Sequence, residues 1–256
     1  GNMTDVSEWW SNEIIEIEQG SISLRGVPIE NLIGEKSFTE MIWFMTTGNK
    51  LNKKKSHLLE AALVAAVDHG PQAPSIAAAR MSATCGVDIN NSLATGINML
   101  GDIHGGAGQQ ALEFYIDIQK KGIENLNEII KDCKKLNNGF IPGFGHRFHK
   151  LGDPRTPRLL NLVDNAVKDG EIGGKFVKIG RQIEKEISNK KIIPMNIDGA
   201  TAVIYAELGC PPPLARGLFC LSRSVGILAH AWEQMQQGER IKGPTPPNYK
   251  WDYKGK

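Results

Sequence analysis

The sequence has no marked excess of charge of either sign. Lys and Arg number 30 and Asp and Glu number 28, a net charge of +2 over 256 residues, so there is no bulk electrostatic case for a nucleic-acid partner. The run Lys53-Lys54-Lys55 reads as a solvated helix start. Cysteine is scarce and scattered: Cys85, Cys133, Cys210 and Cys220 make no Cys-x-x-Cys pair, which excludes a zinc-type spacing and predicts free thiols in a reducing compartment. Apolar runs are short. Ala61 to Val67 cannot span a bilayer, the run near Leu218 is broken by Arg223, and no N-terminal stretch resembles a signal peptide. A soluble, cytoplasmic protein is expected. The glycines of Gly101 to Gly108 are followed by no Gly-Lys-Ser or Gly-Lys-Thr and preceded by no parallel strand, so a phosphate-binding loop is excluded.

The remaining signals are helical. Hydrophobic residues at 41% and charged residues at 23% are ordinary for a globular chain, and the length suffices for a well-buried core. Ile22 to Gly26 alternates like a short strand. Ser37, with Glu40 three residues on, predicts a capped helix ending at Gly48. Ser56 is read as the cap of a helix from Leu58 to Val67. Further helices are expected near 76–81, 88–100, 112–121, 126–136, 159–167, 176–187 and 200–208. In the last and longest, Leu214, Leu218, Leu221, Val225, Leu228, Trp232 and Met235 recur in steps of four and three, which predicts a core-facing stripe with Arg223 roughly opposite. With no repeats and no βαβ unit, the fold class is all-α.

Chemistry concentrates at helix junctions. His69 (Asp68-His69-Gly70-Pro71), His104 (Gly101 to Gly106) and His146 (Gly143-Phe144-Gly145-His146) each sit in a glycine-containing turn, and Asp198 opens a helix after Pro194. Partial burial and backbone dipoles can tune a pKa at such places. Arg147 and Arg155 beside His146 suit a site that binds a carboxylate and moves a proton. Plain alternatives stand beside each: a surface loop for 142–158, a C-capping imidazole for His69, an N-cap for Asp198. His57, His149 and His230 lack such settings and are taken as surface or packing residues. No two histidines have a His-x-x-x-His spacing, and the arginines would repel a cation, so no metal is expected.

Four ordered motifs, Gly101-Asp102-Ile103-His104-Gly105-Gly106-Ala107, Pro142-Gly143-Phe144-Gly145-His146 through Asp153-Pro154-Arg155, Asn196-Ile197-Asp198 and Ser222-Arg223, resemble those of the citrate synthase superfamily over about residues 20 to 242. Asp68-His69-Gly70-Pro71 and Gly145-His146-Arg147 look more like the citryl-CoA lyase module of ATP-citrate lyase, and the size is similar to stand-alone citryl-CoA lyases. His104, by contrast, matches the synthases. The resemblance implies a large helical domain (1–105 and 210–256), a small one (106–209) and a cleft between them. It implies His104, His146 and Asp198 as catalytic residues and His69, Arg147, Arg155, Arg223 and Arg240 as substrate-binding ones. Arg240 would reach the neighbouring subunit's site in a homodimer. The loop Phe140, Ile141, Pro142, Gly143, Phe144, Gly145 would contact coenzyme A, with Lys190 and Lys191 near its phosphates or simply solvated. No cofactor is expected; a CoA thioester would be substrate or product. The implied activity is cleavage of citryl-CoA to acetyl-CoA and oxaloacetate, with an acyl-CoA condensing synthase or a non-catalytic helical partner subunit as alternatives.

Overall fold

The computed structural model describes residues 6–146 and 149–256. The chain divides after Glu60 into two compact units. The first begins with α1 (Val6–Trp9) and a three-stranded antiparallel meander, β1 (Ile15–Glu18), β2 (Ser21–Leu24) and β3 (Val27–Pro28), in that order. Helix α2 (Phe38–Thr47) has the expected capping box: Ser37 accepts from the Glu40 amide, Glu40 accepts from the Ser37 amide, and Gly48 closes the helix in the left-handed region. Arg25, in the turn after β2, donates through Nη2 to the Met45 carbonyl at 2.8 Å and so ties the meander to α2.

Helix α3 (Lys53–Ala65) starts earlier than expected. Asn52 Oδ1 accepts the Lys55 amide at 2.9 Å, while Ser56 is buried inside the helix rather than capping it. The second unit then builds α4 (Pro74–Ala83), α5 (Ile89–Asn98), α6 (Ala107–Lys121), α7 (Leu126–Leu136), α8 (Arg155–Lys168), α9 (Lys175–Ile187), α10 (Ile197–Glu207) and α11 (Pro212–Gln237). Helix α10 is buried along nearly its whole length, Gly199 through Ala206, and packs on α6, α8 and α9. A helix apolar all round is a core helix. At its C-terminal end burial raises the Glu207 pKa, and the backbone amides at the start of α9 oppose this.

Helix α11 corrects the sequence reading. It packs on α4, α5 and α6, and its buried residues are Ala215, Leu218, Ser222, Arg223, Gly226, Ile227, Ala231 and Gln234. Of the stripe expected to face the core, only Leu218 does so fully. Leu221, Val225, Leu228 and Trp232 face outward, Val225 at 56% and Trp232 at 54% exposure. Small residues occupy the buried face because the backbones approach closely there: a Cβ on Gly226 would lie 2.2 Å from the Val67 carbonyl oxygen.

Candidate active site

The site starts at the C-terminus of α3. The last carbonyls of a helix have no partner inside it and carry partial negative charge. Here they are taken by three side chains and one backbone amide from distant parts of the chain. Ser222 Oγ donates to Leu63, Arg155 Nη1 to Ala65 at 3.4 Å, Arg223 Nε to Ala66 at 3.0 Å, and the Gly226 amide to Val67 at 3.0 Å. Two guanidiniums are thereby anchored beside the turn that carries His69. Arg223 is 6% exposed and lies over the Phe219 ring at 5.0 Å. Arg155 is gripped by Asp153 through two parallel bonds of 2.9 and 2.8 Å. The Asp153 side chain is wholly buried, and it also accepts the Ile197 amide at 3.3 Å. A bidentate pair on a buried carboxylate fixes a guanidinium plane as a lysine could not.

His104 belongs to the turn between α5 and α6. Its carbonyl accepts the Gly101 amide at 2.8 Å, and Asp102 pairs with Arg216 of α11 at 2.7 Å. The ring nitrogen Nε2 meets the Ser75 amide at 3.2 Å and the Ser75 hydroxyl at 2.9 Å. A backbone N–H can only donate, so Nε2 is an acceptor and the neutral ring carries its proton on Nδ1. The Ser75 amide is one of the free donors in the first turn of α4. Burial lowers the His104 pKa, and Arg223 lowers it further.

Asp198 stands in the first turn of α10. Asn196 caps that helix, accepting the Asp198 amide at 3.0 Å and the Gly199 amide at 3.2 Å. The Asn196 side-chain amide donates to the Gly145 carbonyl at 2.7 Å, the Asn196 amide to Gly143 at 2.9 Å, and the Gly145 amide to Pro194 at 2.7 Å. The loop that delivers His146 is thus laid antiparallel on the segment that delivers Asp198, with a bridge between Phe144 and Met195. Gly143 (φ +90°) and Gly199 make this possible: a Cβ on Gly143 would stand 2.8 Å from Gly199 Cα, and one on Gly199 2.3 Å from the Gly143 carbonyl oxygen. Asp198 retains some solvent contact, yet burial is the largest influence on it. Burial raises its pKa, Arg223 and Arg155 pull it back, and Asp153 pushes it up again.

His69 and His146 meet edge to face, ring centroids 5.9 Å apart. With Arg155, His149 and the 68–72 turn they line an opening of about 590 Å³. Burial lowers the pKa of both rings; Arg223, Arg155 and His146 add to this for His69, His149 and Arg155 for His146, and Asp153 opposes it in each. His149 was expected at the surface or in packing, and it is exposed. Its ring also lies 4.7 Å from that of His146, and its backbone amide donates to His146 Nδ1 at 3.1 Å. Of the sequence candidates, Arg147 lies outside the described residues. Arg240 stands apart within its own chain: the next two residues bond Thr84 at the C-terminal end of α4, about 15 Å from the Ser75 end of that ten-residue helix.

Phe140, Ile141, Phe144 and Gly145 line a second cavity, of about 680 Å³, which His146 also borders. Its wall is completed by Ile187, Ile192 and Ile193 and carries Lys134, Lys150 and Lys191. Pro142 and Gly143 shape the loop behind it, and Lys190 is not among its lining residues. Ser75, Asp153, Lys134 and Lys150 were not foreseen as site residues. Only Asp153 had a visible signal, the Asp-Pro-Arg turn. Among the described residues, no group of three His, Cys, Asp or Glu side chains is placed to hold a metal ion, and no helix is long and apolar enough to cross a membrane.

The family description "Citrate synthase, C-terminal domain" matches residues 45–245. The chain is 29% identical over 201 residues to the citrate synthase of Haloferax volcanii, covering 78% of this chain and 52% of that one; it spans about half the length of the curated relatives it matches. The structure of citryl-CoA lyase from Hydrogenobacter thermophilus is similar along the whole chain, with a TM-score of 0.86, 30% identity and coverage of 96% and 95%. The ATP citrate lyase of Methanosaeta concilii, at 20% identity, shares the fold with a TM-score of 0.81 over 96% of this chain and 42% of that one.

Proposed function

The chain belongs to the citrate synthase family, and on that footing we propose that it is a citryl-CoA lyase, cleaving citryl-CoA to acetyl-CoA and oxaloacetate. The observation that carries this choice is closeness of fold: the TM-score to the citryl-CoA lyase is 0.86 at 30% identity, against 0.62 to 0.70 for three solved citrate synthases.

Cleavage must remove the proton of the tertiary hydroxyl, break the adjacent carbon–carbon bond and hold the electron pair on a thioester enolate until carbon is protonated. His146 takes the hydroxyl proton as the keto group of oxaloacetate forms. His104, with its proton on Nδ1 because Ser75 occupies Nε2, donates to the thioester oxygen as negative charge grows there. Asp198, whose pKa burial raises, delivers its proton to the enolate carbon and leaves as a carboxylate facing Arg223 and Arg155. Each positioned acid or base is worth on the order of 10²–10⁴ in rate. His69, Arg155 and Arg223, with Arg147, bind the carboxylates. The 680 Å³ cavity takes coenzyme A, Phe140 to Gly145 and the isoleucines against its apolar parts and Lys134, Lys150 and Lys191 near its phosphates.

One observation favours condensation as a second activity of the same site. The His149 amide on His146 Nδ1 leaves the proton of the neutral ring on Nε2, the form that polarises a keto oxygen by donation. For cleavage Nε2 must be bare, so the ring then carries its proton at Nδ1 and gives up the His149 amide.

The functional partition is one of motion, residues 106–209 closing over 1–105 and 210–256 to exclude water. The working assembly is a homodimer, supported by the outward stripe of α11 and by Arg240, which stands away from its own chain's site. Incubation with citryl-CoA followed by separation of products tests the activity. Acetyl-CoA and oxaloacetate are expected; free citrate and CoA as the only products would establish a hydrolysing synthase instead.

A further inference from the structure

We propose that His230 of α11 is a positioning residue for the keto-acid pocket, setting the turn that presents His69 through the carboxylate of Asp68. The inference rests on the pocket assigned above and adds a residue that touches no substrate. A chain of four side chains on three elements carries it. Glu233 Oε1 accepts from Arg80 Nη2 at 2.6 Å. Arg80 Nη1 lies 3.0 Å from His230 Nδ1 and also donates to the His230 carbonyl at 3.0 Å. His230 Nε2 lies 3.0 Å from Asp68 Oδ2.

The directions of these bonds follow from chemistry alone. A guanidinium has donors and no acceptor, so Nδ1 of His230 accepts and the ring proton is on Nε2, pointed at Asp68. Asp68 spends its other oxygen on the turn itself: Oδ1 accepts the Gly70 amide at 3.2 Å. That amide follows His69 directly and holds the turn that brings the His69 ring against His146. The same carboxylate lies close enough to Arg223 to favour its charged form. One carboxylate thus sets the direction of His69 and backs Arg223, and His230 holds that carboxylate in place. Without the Nε2 donor, Asp68 could rotate toward the arginines and release the Gly70 amide.

The test uses the full-length protein labelled with ¹⁵N-histidine, with the variants His230→Ala and His230→Gln. Glutamine keeps a neutral N–H near the Nε2 position. In the wild type, the His230 imidazole signals should show Nδ1 as acceptor and Nε2 protonated. His230→Ala should shift the His69 ring signals and raise the dissociation constant for oxaloacetate about tenfold, the loss of one hydrogen bond to a charged group, while binding of coenzyme A alone stays within about threefold. His230→Gln should recover most of both effects. Unmoved His69 signals in His230→Ala, or a loss of oxaloacetate and CoA binding together that glutamine does not rescue, overturns the proposal. A wild type that leaves citryl-CoA and oxaloacetate untouched overturns the functional assignment instead, and the His69 signals then still decide whether His230 sets the turn.

Discussion

Three imidazoles whose pKa values are lowered and one carboxylate whose pKa is raised form a set in which every member tends toward its neutral form. For the histidines burial and the arginines act in the same direction, and both disfavour a second positive charge; for Asp198 burial outweighs the arginines. Neutral donors suit an enolate, because a donor that starts uncharged can respond to charge as it develops without being quenched beforehand. The sign gives a measurable consequence. His146 must be neutral to take a proton, and its lowered pKa keeps it neutral below the usual imidazole value. The acid limb of the pH profile of kcat/KM for citryl-CoA should therefore be centred below about 6.5. An acid limb centred at or above that value would contradict the assignment. His69, His104, His146 and Asp198 could be picked out from sequence because each interrupts a helical pattern next to glycine. His149 could not. Its nearness to His146 depends on how the loop folds back, and a three-residue spacing outside a helix implies no shared face.

At the scale of elements, the site is held by contacts that leave no room for a side chain. Loop 143–145 lies on the N-terminus of α10 with two glycines back to back. Gly143→Ala would place a Cβ against Gly199 on a left-handed backbone, costing roughly 1–3 kcal/mol for overpacking and about 1–2 kcal/mol for the conformation. Urea unfolding should show a loss of about 2–5 kcal/mol, with oxaloacetate and CoA affinity both reduced because His146 and the Phe140–Gly145 wall move together. An alanine variant as stable as the wild type would mean that the loop is not pressed on α10. The capping box of α2 and the bounds of α7 were legible because they depend on local backbone chemistry. The orientation of α11 was not. Periodicity reveals an apolar stripe but not which side the neighbours occupy, and here Ala231 packs on α4 while Ser222 and Gly226 let the end of α3 approach.

At the scale of the molecule, the outward stripe Leu221, Val225, Leu228, Trp232 and the distant Arg240 have one common explanation in the proposed dimer. A patch of large apolar side chains on a long helix is a surface that another protein covers. If Arg240 completes the partner's site, Arg240→Gln and Asp198→Asn should each be inactive as pure dimers, yet regain activity when their subunits are exchanged. The mixed dimer holds one site with both Asp198 and a partner Arg240, so an equimolar mixture should recover about a quarter of the wild-type rate. Failure to recover any rate, with subunit exchange verified by mass, would place Arg240 outside the site. The family could be recognised in the sequence because its motifs are short and ordered, and a homodimer was expected there through that resemblance alone; the apolar stripe added nothing, because it reads alike whether it meets its own core or a second chain.

The central claim is that Asp198 moves the proton on the carbon next to the thioester. Exchange of the acetyl-CoA methyl protons with deuterium in D₂O, followed by NMR in the presence of oxaloacetate or a non-reacting analogue, reads that step without requiring net turnover. The wild type should exchange the methyl group, and Asp198→Asn should slow the exchange by on the order of 10²–10⁴ while still binding both ligands. Exchange at the wild-type rate in Asp198→Asn would contradict the account.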